Sequence, residues 1–387
     1  MRHTNYNQRK APAPVQYGEA TSLKEYPNLG VFEAIGADTH EEVVFGHDPA
    51  SGLKTIIAIH STALGPALGG TRFFAYADEQ AALRDVLRLS KGMSHKSAAA
   101  GLDFGGGKAV IIGDPDQIKG ELLLRAYGRL VDGLGGRYIT AEDVGTTTAD
   151  MAIIKRETNH VVGLPVTHNG SGDPSPATAR GVMAAIGAVA RRIWGDEELS
   201  GKHFAVQGVG KVGTSLVERL TKSGATVTVT DVNQTALDHC SREYGAHVVA
   251  PGDIFDVDCD VFSPCAMGGA LNEQTIPRLK CEAVVGSANN QLATALDAER
   301  LRDRGITYAP DFIVNAGGVI NISQEANGYD WQKAAAAVDA IADNVAKVFQ
   351  IADKEEVDAA TAAVRLAEYR IKEVGGLNTR LSPGGDL

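Results

Sequence analysis

The chain has 387 residues, of which 44% are hydrophobic and 22% charged, with a formal net charge of −11 at pH 7. This length predicts two or three globular domains at roughly 150 residues each, and the acidic balance disfavours a nucleic-acid partner. No apolar run reaches the ~20 residues of a membrane helix, and we recognise no signal-peptide core at the N-terminus.

The first part of the chain predicts a tail followed by an α/β unit. Residues 1–20 are polar and contain prolines without periodicity, which predicts a mobile tail. Asp78 can cap a helix, because apolar residues follow it at helical spacing towards Lys96. The predicted elements are strands over 42–45 and 53–59 joined by a turn at 48–52, a helix over 78–96, a strand over 109–112, a helix over 122–134 and a strand over 137–140.

The second part of the chain changes character near the loop at residues 169–176, which precedes a predicted helix over 181–194. Beyond it, strands are predicted over 204–207, 227–230, 260–262 and 283–285, with a helix over 214–220. Strands that alternate with helices predict a parallel, doubly wound sheet. Residues 332–373 are rich in alanine and predict helices.

The cysteines and histidines show no pattern of metal ligation. Neither CxxC nor HExxH spacing occurs, so we expect no metal site. The cysteines are predicted to stay reduced in a cytoplasmic protein. They are Cys240, Cys259, Cys265 and Cys281.

A glycine-rich segment predicts a dinucleotide site. It reads Gly208-Val209-Gly210-Lys211-Val212-Gly213, follows an apolar strand and opens a helix. Gly208 permits a tight turn, Gly210 lets a pyrophosphate approach, and Gly213 lets the helix pack on the strand. Asp231 ends the next strand 23 positions after Gly208, close to the spacing of a ribose-binding carboxylate. No arginine follows it to meet a 2′-phosphate, so NAD is favoured over NADP.

Two further loops follow predicted strands, where open α/β sheets bind their ligands. They are Cys265-Ala266-Met267-Gly268-Gly269 and Ser287-Ala288-Asn289-Asn290. Either loop can line the nicotinamide half of a cofactor. Asn289 and Asn290 can equally be ordinary turn residues.

Two lysines lie among glycines and apolar residues ahead of this segment. Lys96 ends the run 91–96, and Lys108 ends the run 102–108. Burial and a second cation both disfavour the charged form of a lysine, so one of the two is expected to lose its proton near neutral pH. Such a lysine can act as a base, which suggests amine chemistry coupled to hydride transfer.

Five segments carry a resemblance to a known family. They are LGPALGGTR at 64–72, KGMSHK at 91–96, DFGGGK at 103–108, TAEDVGT at 140–146 and NAGGVIN at 315–321. In their order and separations they resemble the amino-acid dehydrogenase superfamily, and within it the leucine/valine/phenylalanine branch. The resemblance covers roughly residues 30–375.

The resemblance implies reversible, NAD-dependent oxidative deamination of an L-amino acid to a 2-oxo acid and ammonia. By position, Lys96 would bind the substrate carboxylate. Lys108 would be the general base that activates water, and Asp143 would pass protons to and from the amine. Asp143 could instead be a helix cap or a turn former.

The resemblance also implies a two-domain α/β fold with the active site in the cleft. We expect residues 21–165 to form a substrate-binding domain and residues 166–350 a Rossmann-type NAD domain. The helices of 351–387 are expected to pack back on the first domain. Closure of the cleft and a homo-oligomer are implied as well.

The side-chain pocket discriminates among substrates. Glutamate dehydrogenases carry a lysine where this chain has Leu68, and a distal carboxylate beside leucine would be unpaired. The other matching positions are Ala141, Val319 and Ile322, all apolar. Leucine, valine and isoleucine therefore fit best, and phenylalanine remains an alternative because one methylene changes selectivity by only ~1–3 kcal/mol.

Several further residues are candidates with open alternatives. Gly69 and Gly70 allow close backbone approach to the substrate or form a turn. Thr178 holds the nicotinamide amide or caps a helix. Asn289 is assigned to the substrate, and Asn315 to the cofactor.

Two other functional classes remain as alternatives. A 2-hydroxy-acid dehydrogenase would use an Arg/His pair, but His95, the nearest histidine, neighbours Lys96 and is expected to pack against it or orient it. A non-catalytic NAD-binding sensor would bind NADH without oxidising any amino acid.

Overall fold

The structure, a computed structural model, describes residues 30–381, so the tail predicted for residues 1–20 lies outside the described residues. Its strands are β1 Glu42–Asp48, β2 Leu53–Ser61, β3 Ala67–Phe74, β4 Gly105–Ile112, β5 Tyr138–Glu142, β6 His203–Gln207, β7 Thr226–Thr230, β8 His247–Val248, β9 Val261–Pro264, β10 Ala283–Val284 and β11 Thr307–Tyr308. Its α-helices are α1 Val31–Ala37, α2 Glu79–Ala99, α3 Pro115–Ile118, α4 Glu121–Asp132, α5 Thr148–Ile154, α6 Ser175–Trp194, α7 Lys211–Lys222, α8 Gln234–Tyr244, α9 Leu296–Asp303, α10 Asp311–Val314, α11 Gly317–Ser323, α12 Trp331–Asp339, α13 Ile341–Glu355 and α14 Ala359–Leu381.

The first five strands form a mixed sheet in the order β1-β2-β4-β3-β5. β2 is antiparallel to both β1 and β4, whereas β3 is parallel to β4 and β5. Ile56 and Ala58 of β2 belong to the apolar cluster under α2, and Ile57 and Ile59 belong to the cluster under α4 and α5. Because β2 is buried on both faces, its sequence reads as a continuous apolar run.

The last six strands form a second sheet in the order β11-β10-β9-β6-β7-β8, in which all paired strands are parallel. The chain first moves outward from β6 to β8 and then returns to the other side of β6 at β9. This change of direction leaves a crevice at the carboxyl ends of β6 and β9, where doubly wound folds bind ligands. The predicted Rossmann-type sheet is confirmed.

The C-terminal helices connect the two sheets. α13 packs on α6, and α14 packs on both α13 and α2. Ala362, Ala363 and Ala367 of α14 are buried, because small side chains let helices approach closely. Arg370 of α14 also donates a hydrogen bond of 2.7 Å to Asp103, just before β4.

Three histidines, His40, His60 and His95, form a cluster between α2 and the end of β2. The rings of His40 and His60 meet edge to face at 4.9 Å, and those of His60 and His95 at 6.5 Å. His40 donates to the Leu87 carbonyl at 3.0 Å, and His60 is hydrogen-bonded to the Ser94 hydroxyl at 2.8 Å. Burial lowers the pKa of His60 to about 4. Burial also lowers the pKa values of His40 and His95. The cluster ties α2 to the first sheet through these ring contacts and hydrogen bonds.

Candidate active site

Three consecutive glycines open β4 and place Lys108. A Cβ on Gly106 would lie 2.1 Å from the backbone nitrogen of Ser94 on α2. Helix α2 therefore packs directly on the backbone of β4, which brings Lys96, two residues beyond Ser94, towards Lys108. The strand predicted over 109–112 begins at Gly105 instead, because the glycines pair with β2 and β3.

Lys108 forms an ion pair with Asp143, which follows β5. The Lys108 side chain is 8% exposed and that of Asp143 17%. Burial opposes ionisation of Asp143, but Lys108 and Arg72 outweigh it and hold the pKa of Asp143 below its usual value. Arg72 lies 3.8 Å from Asp143 and 2.8 Å from Asp85, which also accepts the Tyr76 hydroxyl at 2.7 Å. This network orients the Asp143 carboxylate.

Asp143 does not cap a helix, because the N-cap of α5 is Thr147. Its Oδ1 accepts the Val144 N–H at 2.6 Å, so it stabilises a turn with one oxygen and pairs with Lys108 through the other. Neither Arg72 nor Asp85 was predicted to have a role in the site. The available signal for Arg72 was its place at the end of the segment LGPALGGTR, which carries part of the resemblance.

Lys96 connects the first domain with the second. Its Nζ donates to Asn315 Oδ1 at 2.7 Å. Asn315 in turn donates to Asn289 Oδ1 at 2.8 Å and to the Ser287 carbonyl at 3.2 Å. A predicted carboxylate-binding residue, a predicted substrate residue and a predicted cofactor residue thus meet in one hydrogen-bonded chain.

Burial lowers the pKa of Lys96 to about 8, with Lys108 adding to the effect and Asp311 and Asp143 opposing it. The pKa of Lys96 thus lies below that of an ordinary lysine, whereas Lys96 was predicted to bind the carboxylate and not to act as the base. Asp311, which begins α10 directly after β11, was not predicted. Burial raises its pKa, although its carboxylate accepts the backbone N–H groups of Gln291 and Phe312. Burial thus shifts both Lys96 and Asp311 towards their neutral forms.

The four predicted pocket residues belong to one apolar cluster. Leu68, Ala141 and Val319 are buried, and the partly buried Ile322 packs against the same cluster. All four side chains are apolar, so none of them supplies a charge. Their contact with a substrate side chain stays a prediction.

Gly69 and Gly70 lie inside β3 and not in a turn, so the turn alternative was wrong. A Cβ on Gly69 would lie 1.7 Å from the Gly107 carbonyl oxygen, and one on Gly70 would lie 2.5 Å from that of Glu142. Neighbouring strands therefore require these glycines. Strand β3 was missed because its two glycines and the preceding proline are typical of a turn.

The predicted dinucleotide segment joins β6 to α7. Gly208 has a φ of +99°, and a Cβ on it would lie 2.7 Å from that of Ala266. A Cβ on Gly213 would lie 2.0 Å from the Gly208 carbonyl oxygen, whereas the space beside Gly210 is open. Asp231 accepts the Val209 N–H at 2.7 Å, which fixes the carboxylate beside the turn.

The rest of this segment begins α7. Gly210 is the N-cap residue and supplies no side-chain cap. Lys211 is 78% exposed and pairs with Asp173 at 2.9 Å, and the partly buried Val212 follows it. The first turn of α7 therefore keeps backbone N–H groups that an anion can accept.

The remaining candidates lie in α6 and in the segments that follow β9 and β10. Thr178 is not an N-cap, because α6 begins at Ser175 and has Pro174 as its N-cap; the Thr178 hydroxyl donates to the Pro174 carbonyl at 3.1 Å. Cys265 follows β9, and burial raises the pKa of its thiol. Asn290 is exposed with a φ of +52°, as in a turn. Ala288 is buried and donates to the Pro264 carbonyl at 2.9 Å.

Comparison with known protein families identifies the chain. The model of the Glu/Leu/Phe/Val dehydrogenase dimerisation domain matches residues 40–160. The model of Glutamate/Leucine/Phenylalanine/Valine dehydrogenase matches residues 170–239 and 228–375. The chain belongs to this dehydrogenase family. Its members include relatives that are similar over nearly the whole chain.

Leucine dehydrogenase of Geobacillus stearothermophilus is 50% identical over 344 residues, covering 89% of this chain and 94% of the relative. Valine dehydrogenase of Streptomyces coelicolor is 50% identical over 338 residues, covering 86% and 93%. The crystal structure of L-tryptophan dehydrogenase from Nostoc punctiforme is 44% identical with a TM-score of 0.80, covering 89% and 99%. The branch recognised in the sequence is confirmed, and the protein is an amino-acid dehydrogenase.

Other sequence expectations concern membranes, metals and thiols. Over residues 30–381, no helix has the length and apolar character to cross a membrane. Within that range, no group of three or more His, Cys, Asp or Glu side chains is placed to hold a metal ion. All four cysteines are free.

Proposed function

We propose that the protein catalyses the reversible NAD-dependent oxidative deamination of an L-branched-chain amino acid to the 2-oxo acid and ammonia. The observation that carries this proposal is that Lys108, paired with Asp143, lies beside Lys96, which is bonded to Asn315. A cation for a carboxylate, a base and a second proton carrier are the groups that this reaction needs.

Each of the three residues has a defined role in the proposal. Lys96 binds the substrate α-carboxylate and exchanges its bond to Asn315 for a carboxylate oxygen. Asp143 takes a proton from the substrate amine as the Cα–H leaves as hydride, giving an imine. Lys108, acting as the free amine, then removes a proton from the water that attacks the imino carbon, and Asp143 returns its proton to the nitrogen of the carbinolamine. As the C–N bond breaks and the C=O bond forms, the hydroxyl proton leaves with the ammonia as ammonium. Lys108 finally releases to solvent the proton that it took from water.

The residues of the crevice fit a dinucleotide. The open space beside Gly210 and the uncapped start of α7 leave room and N–H donors for a pyrophosphate. The Asp231 carboxylate would accept the adenosine ribose hydroxyls and would repel a 2′-phosphate, which favours NAD. When bound, the nicotinamide accepts the hydride from the substrate. We assign the nicotinamide half to Thr178, Cys265, Ala266, Ala288, Asn290 and Asn315.

The substrate side chain is proposed to lie against Leu68, Ala141, Val319 and Ile322, with Gly69, Gly70 and Asn289 beside the reacting atoms. This surface supplies no partner for a distal charge, so glutamate is disfavoured. The names of the leucine and valine dehydrogenase relatives support a branched-chain substrate. Phenylalanine is the alternative, and a relative named for tryptophan makes aromatic substrates worth testing.

We further assign residues 21–165, with the packing helices of 351–387, to the substrate-binding domain and residues 166–350 to the cofactor domain. Closure of the cleft would exclude water from the imine. A homo-oligomer is proposed because the matching family model is named for dimerisation. Free thiols are consistent with work in the cytoplasm.

The test is NADH formation from NAD with a panel of L-leucine, L-valine, L-isoleucine, L-phenylalanine and L-tryptophan. We expect the branched-chain substrates to be preferred, and Lys108→Ala to reduce kcat about 10²–10⁴-fold. Lys347→Ala, at an exposed position of α13, is the matched control. Preference for an aromatic substrate would show that the pocket interpretation is wrong. NADH binding without oxidation of any amino acid would favour the sensor.

A further inference from the structure

The connection between the two domains is a short linker, defined here as residues 163–174. The Val162 N–H donates to the Thr140 carbonyl of β5 at 2.9 Å, so the chain leaves the first sheet at Val162. Helix α6 of the second domain begins at Ser175. Three linker residues have a left-handed φ between +59° and +75°: Gly163, Asn169 and Gly172. Two of them are glycines, which adopt this conformation without strain but also permit many others. The conformation of the segment therefore depends on the contacts that hold it.

Glu325 holds both ends of the linker. Its Oε2 accepts the N–H groups of Gly163 and Leu164 at 2.9 and 3.2 Å. Its Oε1 accepts the N–H and the hydroxyl of Ser171 at 2.7 and 2.5 Å. Hydrogen bonds to a charged acceptor are about twice as strong as neutral ones. One carboxylate therefore joins Gly163 and Leu164 to Ser171, across a loop that the Gly172 N–H also closes by donating to the Leu164 carbonyl at 3.1 Å. We call the four hydrogen bonds of Glu325 the clamp.

Glu325 stands at the end of the polypeptide that forms the active site. It lies in the 3₁₀ turn Gln324–Asn327, directly after α11. Helix α11 carries Val319 and Ile322 of the pocket and starts two residues after Asn315, the partner of Lys96. The clamp thus joins the linker to the same helix that carries part of the substrate site.

Packing alone does not hold the two domains at this place. A cavity of 460 Å³ lies beside the clamp and is lined by Ile139 and His160 from the first domain and by Tyr329 from the second. Because the surfaces are separated there, the hydrogen bonds of Glu325 add a connection beside the linker to those made elsewhere by α14 and by Lys96.

We propose that Glu325 is a positioning residue for catalysis: by clamping the linker it sets the domain angle at which Lys96 and Lys108 meet Asn315. It touches neither substrate nor cofactor. The catalytic part of this inference rests on the proposed function, whereas the clamp itself does not.

The decisive substitution is Glu325→Gln, which keeps the size of the side chain. An amide has one acceptor oxygen in place of two, so at least one backbone N–H of the linker loses its acceptor, and the negative charge is lost. Ser171→Ala is a milder change that removes only the hydroxyl donor. Glu299→Gln, at an exposed position of α9, is the matched control for the loss of charge.

The first readout is hydrogen–deuterium exchange of the full-length protein followed by mass spectrometry. We expect peptides that contain residues 163–171 to exchange at least about tenfold faster in Glu325→Gln, a change of ~1.4 kcal/mol. Exchange in Glu299→Gln should match the wild type. Unchanged exchange of the linker in Glu325→Gln would overturn the clamp.

The second readout is steady-state turnover, with NADH affinity measured separately by fluorescence. We expect kcat to fall about tenfold in Glu325→Gln, while NADH affinity changes less than about twofold because the segment 208–213 is untouched. The double variant with Ser171→Ala should lose less than the product of the two single losses, since both act through one carboxylate. A variant that is merely destabilised would show a lower thermal midpoint and additive losses, and this result would overturn the positioning role.

Each outcome decides a separate part of the inference. Faster linker exchange with unchanged kcat would overturn the positioning role. If Glu325→Gln does not fold, Ser171→Ala decides, and an unchanged kcat and exchange there would overturn the proposal. A wild-type protein that oxidises no amino acid would overturn the proposed function and the positioning role together, while faster exchange in the variant would still support the clamp.

Discussion

Mild acid should destabilise this protein through His60. The folded pKa of His60 is about 4, below the 6.5 of an ordinary histidine, because of burial first and then the charges of His40, His95 and Lys91. The unfolded chain therefore binds a proton at a higher pH than the folded one. Above about pH 6.5 His60 is neutral in both states and does not lower the free energy of unfolding. As the pH falls from about 6.5 towards about 4, the unfolded chain gains the proton first and the free energy of unfolding decreases.

The size of the loss follows from the two pKa values. One pKa unit corresponds to ~1.4 kcal/mol. At about pH 5 the unfolded imidazole is almost fully protonated and the folded one is mostly neutral. His60 alone then removes about 2 kcal/mol from the free energy of unfolding, relative to about pH 7.5.

The assay is urea unfolding of wild type and His60→Gln at the two pH values. Wild type should lose about 2 kcal/mol more than His60→Gln, since glutamine does not titrate. His47→Gln, at an exposed position of β1, is the control and should behave as wild type. An equal loss in wild type and His60→Gln would refute the reasoning.

Three further predictions concern the site. Burial sets the pKa of Lys96 at about 8, so kcat/KM for the amino acid should fall as the pH rises above about 8, where the carboxylate loses its cation; a profile flat to about pH 10 would contradict this. Gly69→Ala should destabilise the fold by at least about 3 kcal/mol, because its Cβ would lie 1.7 Å from the Gly107 oxygen. Gly92→Ala in α2, with open space around it, is the control and should be neutral or stabilising when both variants are compared with the wild type by thermal unfolding. Asp231→Ala should weaken NAD binding about tenfold and reduce discrimination against NADP, and an unchanged ratio of the two Kd values would oppose the ribose assignment.

The Rossmann-type sheet could be predicted from the sequence because its signals are local. Strand and helix alternate within short stretches, and Gly213 is required by its contact with the Gly208 carbonyl oxygen, five residues earlier. Strand β3 could not be found in the same way. Its Gly69 and Gly70 are required by strands β4 and β5, which come later in the sequence. Local propensity therefore pointed to a turn where tertiary packing makes a strand.

The candidate site was likewise predictable only in part. The resemblance indicated which residues to examine, but it did not indicate their contacts. Lys96 and Asn315 are 219 positions apart, and no periodicity connects them. Asp311 acquires its raised pKa through burial by distant segments, so nothing around it in the sequence gives a signal.

The hydrogen bond between Lys96 and Asn315 has a consequence for ligand discrimination. The amide oxygen of Asn315 occupies the position of an acceptor before any substrate arrives. A carboxylate offers Lys96 a full charge in exchange, whereas a primary amine without a carboxylate offers nothing. Decarboxylated analogues of the substrate would thus have nothing to replace the hydrogen bond between Lys96 and Asn315. A neutral inhibitor with a carbonyl in that position would have to accept a hydrogen bond from Lys96 as well as the Asn315 amide does.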